Sequence, residues 1–213
     1  MTIEEMRESI VKFGKKLITS NLTTGSGGNI SIINREQGVI AISPSGLEYF
    51  ETGPQDIPVM DLKGKVVYGD KKPSSEKNFH IGLYETRPDI TSVVHTHSPY
   101  ATTFACLGME IPAIHYLVGF SGKKVPIAPY ETFGTPALAE RVKDYIGGYN
   151  ALLLEKHGLI CIGNNIETAF AVAEEIEYVA RLYFQAKTVG EPETIPDEEM
   201  ERVIEKFKTY GQK

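Results

Sequence analysis

His95 and His97 stand two residues apart in the stretch ITSVVHTH. The β-branched run before them predicts a buried strand, and because strand side chains alternate with a period of two, both imidazoles project from one face. A single metal ion can take both, but the same tripeptide also suits a polar strand end, and the pair alone leaves both readings open. His157, in EKHGL, falls at a turn expected between two strands, where Gly158 permits close backbone packing and leaves the imidazole exposed. Three neutral imidazoles with an open fourth position describe a catalytic zinc-type site, in which the metal acts as a Lewis acid on a substrate oxygen. His80 and His115 share no spacing with another ligand, so structural polar contacts are expected of them.

Glu76 follows Pro73-Ser74-Ser75 at the expected start of a helix, where a carboxylate is favoured by the helix dipole with or without a function. The two serines beside it suggest more, because hydroxyls and free amides at a helix N-terminus form an anion site. A phosphate held there would bring its substrate within reach of the carboxylate. GSGGN and PSG can add amides and the side chains of Asn29 and Ser45, although each loop taken singly is only a turn. Neither a GxxxxGKS phosphate loop nor a GxGxxG dinucleotide fingerprint is present, which disfavours nucleotide hydrolysis and dinucleotide binding.

The elements that must position these residues follow from periodicity and punctuation. Thr2 and Glu5 form a capping box ahead of Ile3, Met6, Ile10, Phe13 and Leu17 at helical spacing, predicting a first helix to about residue 20. NISI and GVIAIS read as one hairpin, DIPVMDL and KVVYG as another, and residues 76–86 as an amphipathic helix capped by Ser74 or Ser75. After the histidine strand, Ser98-Pro99 opens a helix through Leu107. VPIAPY is a short strand, PALAERVKDYI a helix, NALLLEKHGLICIG a strand pair, IETAFAVAEEIEYVARLYFQAKTV a long helix, and PDEEMERVIEKFKTYG a last one. The 213 residues show no repeat or composition break, so the expectation is a single α/β layered domain over 1–213 with a mixed or mainly antiparallel sheet.

Composition narrows the function classes. Twenty-two Lys and Arg against 28 Asp and Glu give a net charge of −6 with no basic cluster, which removes the electrostatic footprint of nucleic-acid binding. Cys106 and Cys161 lie in the apolar stretches TFACLG and GLICIG and are expected to be inert core thiols. Charges interleave with the apolar residues of the N-terminus, and no run approaches a membrane span, so no membrane partner and a cytoplasmic location are expected.

Taken in order, GSGGNIS, SPSG, KPSSEKNFH, HTHSPYAT, IPAIHY, PYETFGT and LLEKHGLICIG resemble the class II aldolase and adducin head family over nearly the whole chain. The resemblance implies a three-layer α/β/α fold around a mainly antiparallel sheet, one divalent ion per subunit, usually zinc, and a homotetramer with cyclic symmetry and shared active sites. It makes His95, His97 and His157 metal ligands, and Glu76 a fourth ligand that swings off to exchange a proton. Asn29, Ser45, Gly46, Ser74 and Ser75 match the family's phosphate pocket, with Gly28 shaping its approach; SPSG departs from the commoner threonine version of that turn, which leaves the hydroxyl in place. Tyr116 and the tail residue Tyr210, in the segment 196–213, match tyrosines presented across a subunit interface, and Phe133 a nearby aromatic.

The implied activity is that of a metal-dependent aldehyde-lyase. It would split a ketose 1-phosphate, with L-fuculose 1-phosphate the expected substrate, into dihydroxyacetone phosphate and an aldehyde such as L-lactaldehyde. With the metal as electron sink, no lysine Schiff base is needed. Other branches share the plan: a phosphopentose 4-epimerase, which resembles PSSD where this chain has PSSE, a methylthioribulose-1-phosphate dehydratase, and a non-enzymatic adducin-like module, which would be expected to lack the histidines.

Overall fold

A computed structural model describes residues 1–209. Helix α1 (Ile3–Thr19) opens on the capping box, with the Thr2 hydroxyl accepting from Glu5 N–H and the Glu5 carboxylate from Thr2 N–H, and buries Met6, Ile10, Phe13 and Leu17. Then come β1 (Asn29–Asn34), β2 (Val39–Ile42), β3 (Val59–Asp61), β4 (Val66–Tyr68), α2 (Lys77–Thr86), β5 (Ser92–Thr96) and α3 (Pro99–Leu107). A 3-10 turn (Tyr116–Phe120), β6 (Ile127–Ala128), α4 (Pro136–Ile146), β7 (Ala151–Leu154), β8 (Gly158–Gly163), α5 (Ile166–Val189) and α6 (Asp197–Phe207) complete the order.

The strands form one eight-stranded sheet in the order β4-β3-β2-β1-β5-β8-β7-β6. Every pairing is antiparallel except β6 with β7, which makes the sheet mixed but mainly antiparallel. Period-two alternation sorts the strand residues between two cores. Ile30, Ile32, Val94, Leu159 and Cys161 join α1, α3 and α5 on one face, while Ile33, Val93, Ile160 and Ile162 pack with Phe79 and Leu83 of α2 and Val142 and Ile146 of α4 on the other. The result is helices on both sides of the sheet. Among the described residues, no helix is long and apolar enough to cross a membrane.

Two local expectations need correction. Cys106 is exposed, because the buried stripe of α3 runs through Ala101, Phe104 and Ala105 and turns the next position outward; Cys161 is buried as expected. Neither Ser74 nor Ser75 caps α2: the N-cap position is Glu76, which makes no side-chain cap bond, and Ser74 Oγ accepts from Glu76 N–H at 3.3 Å.

The arrangement gathers three sequence-distant segments at one end of the sheet. Antiparallel pairing sets Asn29, the first residue of β1, opposite His95 near the end of β5. The same strand pairs on its other side with β8, Thr96 opposite Leu159, one residue after β8 begins at Gly158.

Candidate active site

His95, His97 and His157 each offer a nitrogen, and these atoms all lie within 4.8 Å of one another. His95 is buried, His157 half-buried and His97 exposed, so the triad climbs from the floor of a cleft to its mouth. His97 follows the last residue of β5, yet it keeps the strand's alternation: its Nε2 is 3.0 Å from His95 Nε2. His95 Nδ1 lies 3.0 Å from the Leu159 carbonyl, an arrangement in which Nδ1 carries the proton and Nε2 the lone pair.

Backbone shape makes this crowding possible. A Cβ on Gly158 would press on the Thr96 carbonyl and come within 3.0 Å of His97 Cδ2 and 3.2 Å of His95 Cε1, so the strand start stays bare to let two imidazoles pass. Gly28, at φ +69°, would bring a Cβ to 2.5 Å from the His95 carbonyl, and its own carbonyl accepts from the Tyr49 hydroxyl at 3.0 Å. Lys156, at φ +57°, turns the chain between β7 and β8 and delivers His157.

Glu76 closes the group from α2. Its Oε1 is 3.3 Å from His157 Nε2 and its Oε2 is 3.4 Å from His95 Nε2 and 2.9 Å from Asn29 Nδ2, which donates to it. Oε1 is buried with no hydrogen-bond partner. Burial raises the Glu76 carboxyl above its ordinary range, opposed by the neighbouring His157 and by the Asn29 hydrogen bond. Burial also lowers all three histidines, His95 furthest, so the cluster consists of neutral imidazoles. A buried carboxylate oxygen with no hydrogen-bond partner among the described residues, facing the ring nitrogens of neutral imidazoles, is a donor set that fits a divalent cation.

Beside the triad opens a cavity of about 400 Å³. Gly28, Asn29, Ser45, Gly46, Ser74, Ser75, Glu76, Phe133, His97 and His157 all line it. The 44–46 and 73–75 loops are stapled together, Ser45 N–H donating to the Lys72 carbonyl at 2.9 Å and Ser74 N–H to the Ser43 carbonyl at 3.0 Å. Gly46 has φ +72°. The PYETFGT loop packs on the same place: a Cβ on Gly134 would lie 3.1 Å from the Ser75 carbonyl.

Tyr130, Glu131 and Lys156 also line the cavity and were not singled out from sequence. Their only signal there is adjacency, to Phe133 in PYETFGT and to His157 in EKHGL. Tyr116 is elsewhere, 49% exposed at the start of the 3-10 turn, beside Leu117, Phe120, Val203 and Phe207. Tyr210 lies outside the described residues. His80 and His115 make the polar contacts expected of them, His115 Nδ1 accepting from Leu117 N–H at 3.3 Å.

Residues 8–184 match the model of the class II aldolase and adducin N-terminal domain family. The chain is 54% identical over 212 residues to a 5-deoxy-D-ribulose 1-phosphate aldolase of Bacillus thuringiensis serovar kurstaki, covering 100% of both chains. It is 41% identical to a 5-methylthioribulose-1-phosphate/5-deoxyribulose-1-phosphate aldolase of Rhodospirillum rubrum, covering 97% of this chain and 92% of the other. A solved L-fuculose 1-phosphate aldolase superposes with a TM-score of 0.94 at 45% identity, covering 96% of each chain.

Proposed function

The chain belongs to the class II aldolase and adducin N-terminal domain family, and from that premise we propose that it is a metal-dependent lyase that splits a ketose 1-phosphate into dihydroxyacetone phosphate and a short aldehyde. The observation that carries this reading is Glu76: a buried carboxylate oxygen without a donor, set between three imidazoles and a cavity walled by serine and glycine loops.

His95, His97 and His157 would hold one divalent ion, with Glu76 as a fourth ligand at rest, and zinc is the ion we assign. When bound, the cation supplies positive charge for the negative charge that develops on the substrate as the carbon–carbon bond breaks. The rest falls to the chain. Ser45, Ser74, Ser75 and Asn29, with the backbone at Gly28 and Gly46, anchor the phosphate and so fix the carbon skeleton relative to Glu76. Glu76 gives a proton to the enediolate carbon during cleavage and takes the same proton during condensation, a task suited to a carboxyl raised by burial. Phe133 walls the aldehyde end. Tyr116 and Tyr210 serve the aldehyde oxygen from a neighbouring subunit of a cyclic homotetramer.

For the substrate, end-to-end similarity to the Bacillus thuringiensis protein supports 5-deoxyribulose 1-phosphate, which would yield acetaldehyde. L-fuculose 1-phosphate is the second reading, supported by the solved aldolase. Both share the phosphate and first three carbons and differ in the aldehyde, so the metal and phosphate sites do not discriminate between them. Metal-loaded protein incubated with each compound should release dihydroxyacetone phosphate, with the higher kcat/KM on 5-deoxyribulose 1-phosphate. Release from neither would sink the reading, and a pentulose 5-phosphate epimerised without cleavage would move the chain to the epimerase branch.

A further inference from the structure

Behind Glu76 runs a chain of buried polar side chains that crosses from α2 into the sheet. Asn29 Nδ2 donates to Glu76 Oε2 at 2.9 Å; Asn29 Oδ1 is 2.5 Å from His80 Nε2; His80 Nδ1 is 2.6 Å from Ser31 Oγ; and Ser31 Oγ is 2.7 Å from the Tyr84 hydroxyl. Asn29 is 4% exposed, Ser31 and His80 fully buried and Tyr84 3% exposed. His80 lies on α2 and is neither a member of the triad nor a lining residue of the cavity.

The directions of these bonds are not independent. A carboxylate oxygen only accepts, so Asn29 must present its NH₂ group to Glu76 and therefore its carbonyl to His80. His80 must then donate from Nε2, and as a neutral imidazole it accepts at Nδ1, from the Ser31 hydroxyl. Burial holds His80 neutral, down to about 3, which supports a single N–H on the ring. If Nε2 lost its proton or its place, nothing on that side would stop the Asn29 amide from turning over. A turned amide sets its own oxygen against Glu76 Oε2 between two buried side chains and removes the hydrogen bond that Asn29 Nδ2 donates there.

We propose that His80 is a positioning residue that, through its Nε2–H bond to Asn29 Oδ1, fixes the orientation of the Asn29 amide and thereby the placement of the Glu76 carboxylate. This rests on Glu76 being the proton-exchanging group of the proposed function.

The test is the rate at which metal-loaded protein exchanges the C3 proton of dihydroxyacetone phosphate with solvent, followed with metal content. His80→Leu should lose about tenfold or more in that rate, the worth of a hydrogen bond to a charged group, while keeping a full complement of metal. His80→Gln, whose terminal NH₂ can stand where Nε2–H stood, should recover most of the rate. In an Asn29→Ala background, His80→Leu should cost nothing further, because the group it acts through is gone. Undiminished exchange in His80→Leu, equal loss in His80→Gln, loss of metal, or full additivity with Asn29→Ala would each overturn the proposal. Should His80→Leu fail to fold, Ser31→Ala takes its place: it frees Nδ1 to take the ring proton, and a slower exchange that vanishes in Asn29→Ala supports the lock, whereas an unchanged rate overturns it. Absence of exchange in the unmutated protein would instead count against the proposed function itself.

Discussion

The floor of the cleft and the groove around Tyr116 are built in opposite ways. On the floor, His95, Asn29 and Glu76 are 0%, 4% and 6% exposed, and each is aimed by strand register or by hydrogen bonds. At the groove, Tyr116 sits 49% exposed on a short turn, its ring 6.2 Å from that of Phe207, with no comparable polar restraint among the described residues. Of the four groups assigned to an ion, His95 sits within a strand, His97 and His157 at strand ends, and Glu76 at the start of a helix packed on the sheet, so the fold's most regular part sets their spacing. Tyr116 lies outside the cavity beside the triad, and the proposed function brings it to a substrate through a neighbouring subunit. On the proposed function, one chain would carry the metal and phosphate sites by itself and take Tyr116 from a neighbour.

The largest effect that would sharpen this contrast is at the floor. Alanine at His95, His97 or His157 should strip the metal and lower turnover by about a thousandfold, several kcal/mol of charge stabilisation, whereas His80→Ala should retain the ion; equal metal loss in all four would mean a general effect on the fold. Next, Glu76→Gln should cost about a hundredfold or more in proton exchange while keeping affinity for inorganic phosphate. Full exchange in that variant would reassign the base.

Moving outward, Ser75→Ala should raise KM for the phosphorylated substrate roughly ten- to hundredfold, one lost charge-assisted hydrogen bond of about 1.5 to 3 kcal/mol. An unchanged KM would move the phosphate off the serine loops. The groove itself is tested by complementation. Inactive Glu76→Gln and Tyr116→Ala subunits, refolded together, should recover up to about a quarter of native activity, because a ring places an intact carboxylate beside an intact tyrosine at one site in four. Mixed oligomers with no gain over the separate variants would return Tyr116 to its own chain.

The last effect concerns stability rather than turnover. His80 stays neutral in the fold down to about 3, while in the unfolded chain it takes a proton near its ordinary 6.5. Its contribution is therefore intact above that value and is lost as the pH falls, at up to about 1.4 kcal/mol per pH unit. His80→Gln should flatten the acid-unfolding curve between roughly pH 6 and 3. An equally steep curve would show that other groups set it.

What the sequence revealed follows the same division. The period of two puts His95 and His97 on one face, and Thr2 with Glu5 marks the start of α1, because both signals are local. The position of Glu76 at the N-cap was not legible: the serines are better cap residues, but Ser74 is engaged by Glu76 N–H. Nor was the Asn29–His80–Ser31–Tyr84 chain, since its partners are about fifty residues apart and joined only by packing a helix on a sheet. Cys106 was misjudged because an apolar neighbourhood in sequence does not say which side of a helix a residue occupies.

The antiparallel register that sets Asn29 against His95, and β5 against β8, also dictates an order of events in time. Glu76, His95 and His157 come from segments whose meeting requires closing long stretches of chain, a slow step whose entropy cost precedes any reward from an ion. The nitrogens converge only where the strands are paired, so the sheet and its apolar cores, rather than the ion alone, organise the site. On the proposed function, loading would be an encounter between a divalent ion and a pocket already held by the two apolar cores, and metal-free protein should keep its secondary structure.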